Sequence, residues 1–416
     1  MSTTNPSQSE GIAARPARTL TPSRGGGFSQ IVSVGSYRPA RVVTNDEICQ
    51  VLDSSDQWIR ERTGIVTRYF AEPEQSVVDL AEPAARAALD RAGLAPGDID
   101  AIMVATVSHL QQMPSAATLL AHRLGATPAA ALDVAAACAG FCHAISLADG
   151  LIRAGTAANV LVVGTEKLTD LISPTDRSTA FIFGDGAGAA VVSAVGDHGE
   201  PGIGPTIWGS DGSRWEHITS DSYASIRRHL VAGLPAIPPP APPRFDIGSD
   251  VSAEIAAELN AAAQLNSAAE PNSAPELNSA AELNSGEAGQ AGQDVLPIWP
   301  TLRMQGQAVF RWAVWEMAPI ARKALDAAGV APGDLAAFIP HQANVRIIDS
   351  LAKQIGLPAS VVIARDIVEA GNTSAASIPM AMDTLLERQP ELSGGLALLI
   401  GFGAGLSYAA QVVRLP

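Results

Sequence analysis

Residues 129–150 read AAALDVAAACAGFCHAISLADG, and within them Cys138 stands where a thiol can act as a nucleophile. The apolar run Ala131-Leu132-Asp133-Val134 has strand character and gives way to small residues at Cys138. Phe141, Ile145 and Leu147 then sit among alanines at helix-like spacing, so the pattern predicts strand, tight turn and buried helix. A thiol at such a turn faces the backbone N–H groups and positive dipole end of the helix, which favour thiolate over thiol. The flanking alanines and Gly140 let a substrate approach closely. This is the layout of a nucleophile elbow with cysteine as the nucleophile. Position alone does not decide it, because a lone cysteine in an alanine-rich helix is ordinarily a small core residue. Cys142, one turn further on, has no reason to be activated, and Cys49 reads as a residue of an ordinary amphipathic helix.

The elements that must position Cys138 begin near Phe28. Ile31–Val34 reads as a strand, and Thr44 to Glu47 has the pattern of a capping box opening a helix. The stretch Asp56-Gln57-Trp58-Ile59-Arg60-Glu61-Arg62-Thr63-Gly64 follows. A tryptophan among arginines suits packing with a surface ion pair, and equally suits stacking on an adenine and pairing with a phosphate. An internal repeat organises the rest: residues 86–101 read RAALDRAGLAPGDIDA and residues 322–337 read RKALDAAGVAPGDLAA. Both describe a helix, a glycine stop, an Ala-Pro-Gly-Asp turn and the approach to a strand, so the chain reads as a duplicated α/β unit. In such folds sites gather where strands end and the halves meet, and His341 falls at the end of such a strand.

Four segments follow. Residues 1–27 carry Arg15, Arg18 and Arg24, several Ser and Thr and a triple glycine, with no apolar h-region; they read as a disordered tail. Residues 28–230 form the half that holds the cysteine, and 298–416 the half that holds His341. Between them, 231–297 is proline-rich and then repeats Leu-Asn or Pro-Asn every six residues, at 259, 265, 271, 277 and 283. That composition marks a flexible low-complexity insertion, with local helix near Val251–Leu259. Residues 251–295 hold seven acids and no Lys or Arg, so nearly half of the net charge of −15 sits there and says little about any local patch. The acidic balance argues against nucleic acid, and no apolar run approaches a membrane span. Three irregularly spaced cysteines give neither a disulfide framework nor a metal signature and fit a reducing, cytoplasmic compartment.

The motifs taken together carry a resemblance. Asp133-Val134-Ala135-Ala136-Ala137-Cys138-Ala139-Gly140-Phe141, Pro340-His341-Gln342-Ala343-Asn344 and Gly371-Asn372-Thr373-Ser374-Ala375-Ala376-Ser377 resemble the three catalytic motifs of the type III β-ketoacyl–acyl carrier protein synthases. Phe183-Gly184-Asp185-Gly186-Ala187-Gly188, Ser54-Ser55-Asp56-Gln57-Trp58 and Pro174-Thr175-Asp176-Arg177 are similar to further motifs of that family. The resemblance spans about 29–230 and 299–416, and the closing GFGAGLSYAAQVV and the VVTNDEICQ segment are most similar to actinobacterial members.

The resemblance implies an α/β thiolase fold, five layers αβαβα, in a homodimer. It implies that Cys138 takes an acyl group from acyl-CoA, and that malonyl on acyl carrier protein then binds, loses CO2 and attacks that group, initiating fatty acid synthesis. His341 and Asn372 would hydrogen-bond the thioester oxygen as the enolate forms, and the N–H groups of Cys138 and of the 403–405 turn would make an oxyanion hole. Trp58 and Arg177 would sandwich the CoA adenine, with Arg62 near its phosphates. Ala343 and Asn344 would touch the pantetheine arm, Phe402 would sit beside the nucleophile, and Met113 would limit the acyl pocket across the dimer. Arg346 and Lys353, two turns apart on one helix, would dock the acidic carrier protein. No cofactor and no metal is implied. Ser178 stands where many members have glycine. The alternative within the same fold is a starter-unit ketosynthase or acyltransferase of a polyketide or other specialised pathway.

Overall fold

The computed structural model describes residues 27–196, 199–221 and 301–416. The insertion expected over 231–297, with its local helix, and the tail expected over 1–27 apart from Gly27 lie outside the described residues. In chain order the strands are β1 (Phe28–Tyr37), β2 (Arg41–Thr44), β3 (Thr67–Phe70), β4 (Ala101–Ala105), β5 (Ala130–Val134), β6 (Asn159–Glu166) and β7 (Gly186–Gly196). They continue as β8 (Ile207–Gly209), β9 (Ile218–Ser220), β10 (Leu302–Met304), β11 (Ala337–Pro340), β12 (Val362–Ile363), β13 (Leu396–Phe402) and β14 (Tyr408–Arg414).

Two five-stranded sheets carry the architecture. One runs β1-β7-β6-β4-β5 and the other β8-β14-β13-β11-β12. In each, the last three strands are parallel and the first two antiparallel. The sheets are therefore the same unit twice, with β4 matching β11, β6 matching β13 and β7 matching β14. The sixteen-residue repeat lies at matching places. Both copies end their helix on a left-handed glycine, Gly93 and Gly329, each with φ of 66°. Both then form a single 3-10 turn in which the aspartate side chain, Asp98 or Asp334, accepts the N–H of the alanine three residues earlier.

The layers follow from which helix faces are apolar. Helices Gly140–Arg153 and Ser377–Arg388 lie between the sheets; Phe141, Cys142, Ala144, Ile145, Ile378, Ala381 and Met382 join residues of both sheets in one core. On the outer face of the first sheet lie helices Val77–Ala92 and Ala116–Leu124. On the outer face of the second lie Gly306–Ala328 and Val345–Ile355. This is the five-layered αβαβα thiolase fold. The capping box expected at Thr44 and Glu47 is formed, on a helix of only five residues, Asn45–Cys49. One expectation fails in detail: Leu147 is 37 % exposed, because the buried face continues from Ile145 to Ala148, one residue further round the helix.

Candidate active site

Cys138 sits in the 3-10 turn Ala137–Ala139 between β5 and the central helix Gly140–Arg153. Ala137 adopts φ of 46°, a left-handed conformation unfavourable for a residue with a Cβ, and this sharp bend presents the next side chain. Gly140 is required by space, since a Cβ there would lie 2.9 Å from Ala105 Cβ. The thiol meets the opposite half at two points. Ser374 Oγ donates to Cys138 Sγ at 3.3 Å. Gly403 lies against it so closely that a Cβ would fall 3.0 Å from Sγ.

Helix placement alone predicts a thiolate, and the structure differs. Burial pushes the Cys138 thiol up to about 12, against a smaller lowering by the Ser374 hydroxyl. The resting protein therefore holds a thiol, because desolvation outweighs the local dipoles. Cys142, also buried, is pushed to about 12.

His341 follows β11 and is 2 % exposed. Its backbone N–H donates to Ile400 O, and Nδ1 lies 2.8 Å from Ser377 Oγ. Ser377 Oγ also accepts from the Gln342 N–H. Burial lowers the His341 pKa to about 3, so the ring is neutral. In the tautomer where Ser377 donates to Nδ1, Nε2 carries the proton and is a neutral donor. Phe402 holds the ring edge-on, with centroids 5.3 Å apart. Asn372 is fixed through its backbone, which donates to Ile182 O and accepts from Gly184 N–H. Its Oδ1 accepts the Ser374 N–H at 2.9 Å, which leaves the amide NH2 as a pair of donors with no hydrogen-bond partner among the described residues. Residues 372–377 thus touch Cys138 through Ser374 and His341 through Ser377.

The residues expected to bind the nucleotide part of a CoA form a second group. Trp58 packs edge-on against Phe181 at 5.2 Å, and the Arg62 guanidinium lies over the Trp58 ring at 5.7 Å. Beneath them the fully buried Arg68 donates to Phe181 O and Asn45 Oδ1. Arg177 is exposed and pairs with Asp53 at 3.1 Å. Asn344 links this group to the first, donating its amide to Arg62 O while its Oδ1 caps helix Val345–Ile355. Ala343, half-buried, lies between His341 and Asn344. Met113, 81 % exposed, stands apart from these groups.

Among the described residues, the exposed cations with no carboxylate in ion-pair range are Arg62, Arg311, Arg322, Lys323, Arg346 and Lys353. They fall on three neighbouring helices, joined by the Asn344–Arg62 bond, by Arg346 over the Phe310 ring at 5.3 Å and by Gln354 to Val314 O. No group of three or more His, Cys, Asp or Glu able to hold a metal occurs among the described residues, and no described helix is long and apolar enough to cross a membrane.

Sequence reasoning did not single out Ser374, Ser377 or Glu166. The two serines lie inside the Gly371–Ser377 motif. Glu166 had a signal of its own, as the one charged residue of the largely apolar strand β6.

Residues 132–212 match the family model for 3-oxoacyl-[acyl-carrier-protein] synthase III, and 325–415 match that for its C-terminal region. The β-ketoacyl-[acyl-carrier-protein] synthase III of Kocuria rhizophila is 49 % identical over 93 % of this chain and 97 % of its own. Synthase III 1 of Streptomyces coelicolor is 46 % identical over 95 % of this chain and 99 % of its own. Among solved structures, the priming β-ketosynthase of the R1128 polyketide pathway is 39 % identical with a TM-score of 0.76, covering 96 % of this chain and 98 % of its own. The Pseudomonas aeruginosa 3-oxoacyl-(acyl carrier protein) synthase III is 32 % identical with a TM-score of 0.71, covering 94 % and 98 %. The chain belongs to the β-ketoacyl-acyl carrier protein synthase III family of acyltransferases.

Proposed function

We propose that the protein condenses an acyl-CoA starter with malonyl–acyl carrier protein, giving β-ketoacyl–acyl carrier protein and CO2, as the first condensation of fatty acid biosynthesis. The observation that carries this reading is the arrangement of Cys138, His341 and Asn372 around one segment, 372–377, with two neutral donors. Cys138 attacks the thioester carbonyl, and CoA leaves as its thiol. Malonyl thioester then enters, and loss of CO2 places negative charge on its carbonyl oxygen. His341 Nε2–H and the Asn372 amide are the donors for that oxygen. Neutral donors held in place stabilise a developing charge without neutralising it by proton transfer, and each is worth about 10²–10³ in rate. For the oxyanion of the acyl-transfer steps, Gly403 is not the donor, because its N–H is bound to Ser407 O. Ala404 or Gly405 fills that role beside the Cys138 N–H.

Trp58 and Arg177 take the adenine, Arg62 the phosphates, and Ala343 and Asn344 the pantetheine arm. The Asn344–Arg62 bond, which joins the two ends of that path, supports this assignment. The carrier protein docks at Arg346 and Lys353; the unpaired cations of three adjoining helices support it, since an acidic partner needs cations not already neutralised. The protein acts as a homodimer through the β5 edge, where Leu132 is 40 % exposed and unpaired backbone faces outward, and Met113 enters the partner's acyl pocket.

The likeness to the priming ketosynthase of a polyketide pathway favours a second reading, in which the same chemistry loads a specialised starter. Intact mass after mixing the full chain with a panel of acyl-CoAs, with Cys138→Ala as control, tests both. An adduct on wild type alone supports acyl-CoA loading, and the preferred chain names the starter. No adduct from any CoA ester excludes that donor and leaves a carrier-bound starter of the second reading.

A further inference from the structure

Glu166 closes β6 and is 0 % exposed. Its Oε2 accepts three bonds, from Ser108 Oγ at 2.5 Å, Val107 N–H at 3.1 Å and Thr106 Oγ1 at 3.2 Å. Its Oε1 is buried with no hydrogen-bond partner. Among the described residues no cation pairs with it: Lys167, next in sequence, turns its ammonium to Pro73 O at 2.9 Å and to Asp170 at 3.3 Å. A buried carboxylate with one unfilled oxygen is costly to keep, and a glutamine would fill the space.

The duplication shows where the carboxyl points. Ala101 pairs with Val160 in the first sheet and Ala337 with Ala397 in the second, so counting along the strands makes Glu166 the counterpart of Gly403. Gly403 lies against Cys138 in the turn of the first half. The counterpart turn is Ser374–Ala376, and the β6 glycine two residues before Glu166, Gly164, lies against it at Ala375. Glu166 accordingly stands beside that turn, whose first residue is Ser374. Burial raises the Glu166 pKa and the nearby Ser374 hydroxyl is among the groups that lower it, although in this conformation the Ser374 hydrogen bond goes to Cys138 Sγ. Rotation of one hydroxyl exchanges thiol for carboxylate.

We propose that Glu166, acting through the Ser374 hydroxyl, accepts the proton of Cys138 during acylation and returns it to the departing CoA. This rests on the reading that Cys138 is acylated. The thiol proton passes to Ser374 Oγ as the Ser374 proton passes to Glu166 Oε1, giving thiolate and neutral carboxylic acid. The thiolate forms the new C–S bond, the carbon–sulfur bond to CoA breaks, and the CoA thiolate takes the proton back by the same route. With Glu166 ionised, no net charge is made: the buried negative charge moves from oxygen to sulfur. Creating one there is what burial opposes, as the raised pKa values of both Cys138 and Glu166 reflect. Of the titratable groups around the pair, His341 stays neutral, Lys167 faces away, and Cys142 is a buried thiol.

The test measures Cys138 acylation by acetyl-, isobutyryl- and longer acyl-CoAs against pH in the full chain, for wild type, Glu166→Gln, Ser374→Ala and the double variant. Iodoacetamide alkylation of Cys138 is followed in parallel. Alkylation reports only the thiolate fraction, whereas acylation must also hand a proton to CoA. Each single variant is expected to acylate about 10²-fold slower. The double variant is expected to be no slower than either, as for groups acting as a unit. The acid limb of the wild-type profile disappears in Glu166→Gln, while alkylation falls by less than acylation because iodide, unlike CoA, needs no proton on leaving. Unchanged acylation and pH profile, or acylation and alkylation slowed equally, overturns the relay. If Glu166→Gln fails to fold, the pH profile of Ser374→Ala decides by the same criteria. Absence of any wild-type adduct overturns the acylation reading instead.

Discussion

Gly164 and Gly401 occupy the same position on the central strands of the two sheets, and each receives the turn of the opposite half. A Cβ on Gly164 would lie 2.3 Å from Ala375 O, and one on Gly401 would lie 2.9 Å from Ala139 Cα. The counterparts around them have diverged. Where the first half packs Ala105 against Gly140, the second has His341 bonded to Ser377. One half supplies the bent turn that presents sulfur, and the other supplies the donors. The site exists because two copies of one unit interlock at glycines.

That interlock predicts that Gly164→Ala and Gly401→Ala both lose stability, by about 1–3 kcal/mol, since the obstructing atoms are backbone and must move. Gly401→Ala should also slow acylation of Cys138. Thermal melts and adduct kinetics check both; a Gly401→Ala protein with wild-type values of each would show that the turns are not tightly engaged.

Neutral His341 gives a pH prediction. Its native pKa, about 3, lies below the usual 6.5, so unfolded chains bind this proton first as pH falls. The stability tied to a neutral ring is present above about 6.5 and is lost as pH drops toward 3, on the order of a few kcal/mol in full. Asp185 works the other way: burial raises it to about 6, so the native state gains its proton first and offsets part of the loss. His341→Asn should lose less stability than wild type between pH 7 and 4.5 in urea unfolding. Parallel pH dependences would refute a buried neutral ring.

Charge reversal at Arg346 or Lys353 is expected to weaken carrier-protein binding by on the order of tenfold at low salt, with the difference shrinking as salt rises. Acyl-CoA loading should be untouched. Equal binding by titration calorimetry at low salt would remove this surface from consideration.

Trp58→Ala should raise the KM for acyl-CoA by about tenfold, as expected for loss of a stacking platform worth roughly 1 kcal/mol or more. Its kcat should change little, because Trp58 makes no ring contact or hydrogen bond with Cys138, His341 or Asn372 and meets their neighbours through Phe181 and Arg62. A fall in kcat at unchanged KM would mean that the ring supports the fold rather than the ligand.

Much of this was legible in the sequence because the signals are local. The Ala-Pro-Gly-Asp turns, the capping box at Thr44 and the small residues around Cys138 act over a few positions, and a residue-by-residue reading finds them. What escaped depends on contacts across the chain. Ser374 meets Cys138 over 236 positions, and no periodicity announces that. The thiol's resting state was misjudged for the same reason: the local dipole is visible in sequence, whereas the desolvation that outweighs it comes from the opposite half. Arg68 is fully buried although nothing local in the sequence marks it, because its partners Asn45 and Phe181 are distant in the chain.

The short ladder of β9 and β10 has a consequence for the evolution and engineering of this enzyme. Ser220 pairs with Leu302, Asp221 N–H bonds Thr301 O, and Asp221 pairs with Arg303, so the segment between leaves and re-enters at one clasp. Lengthening a loop whose ends are tied costs only about 0.6 kcal/mol per doubling. The clasp therefore fixes where the chain departs and returns whatever the length of sequence between Asp221 and Thr301, which makes it a port for new sequence.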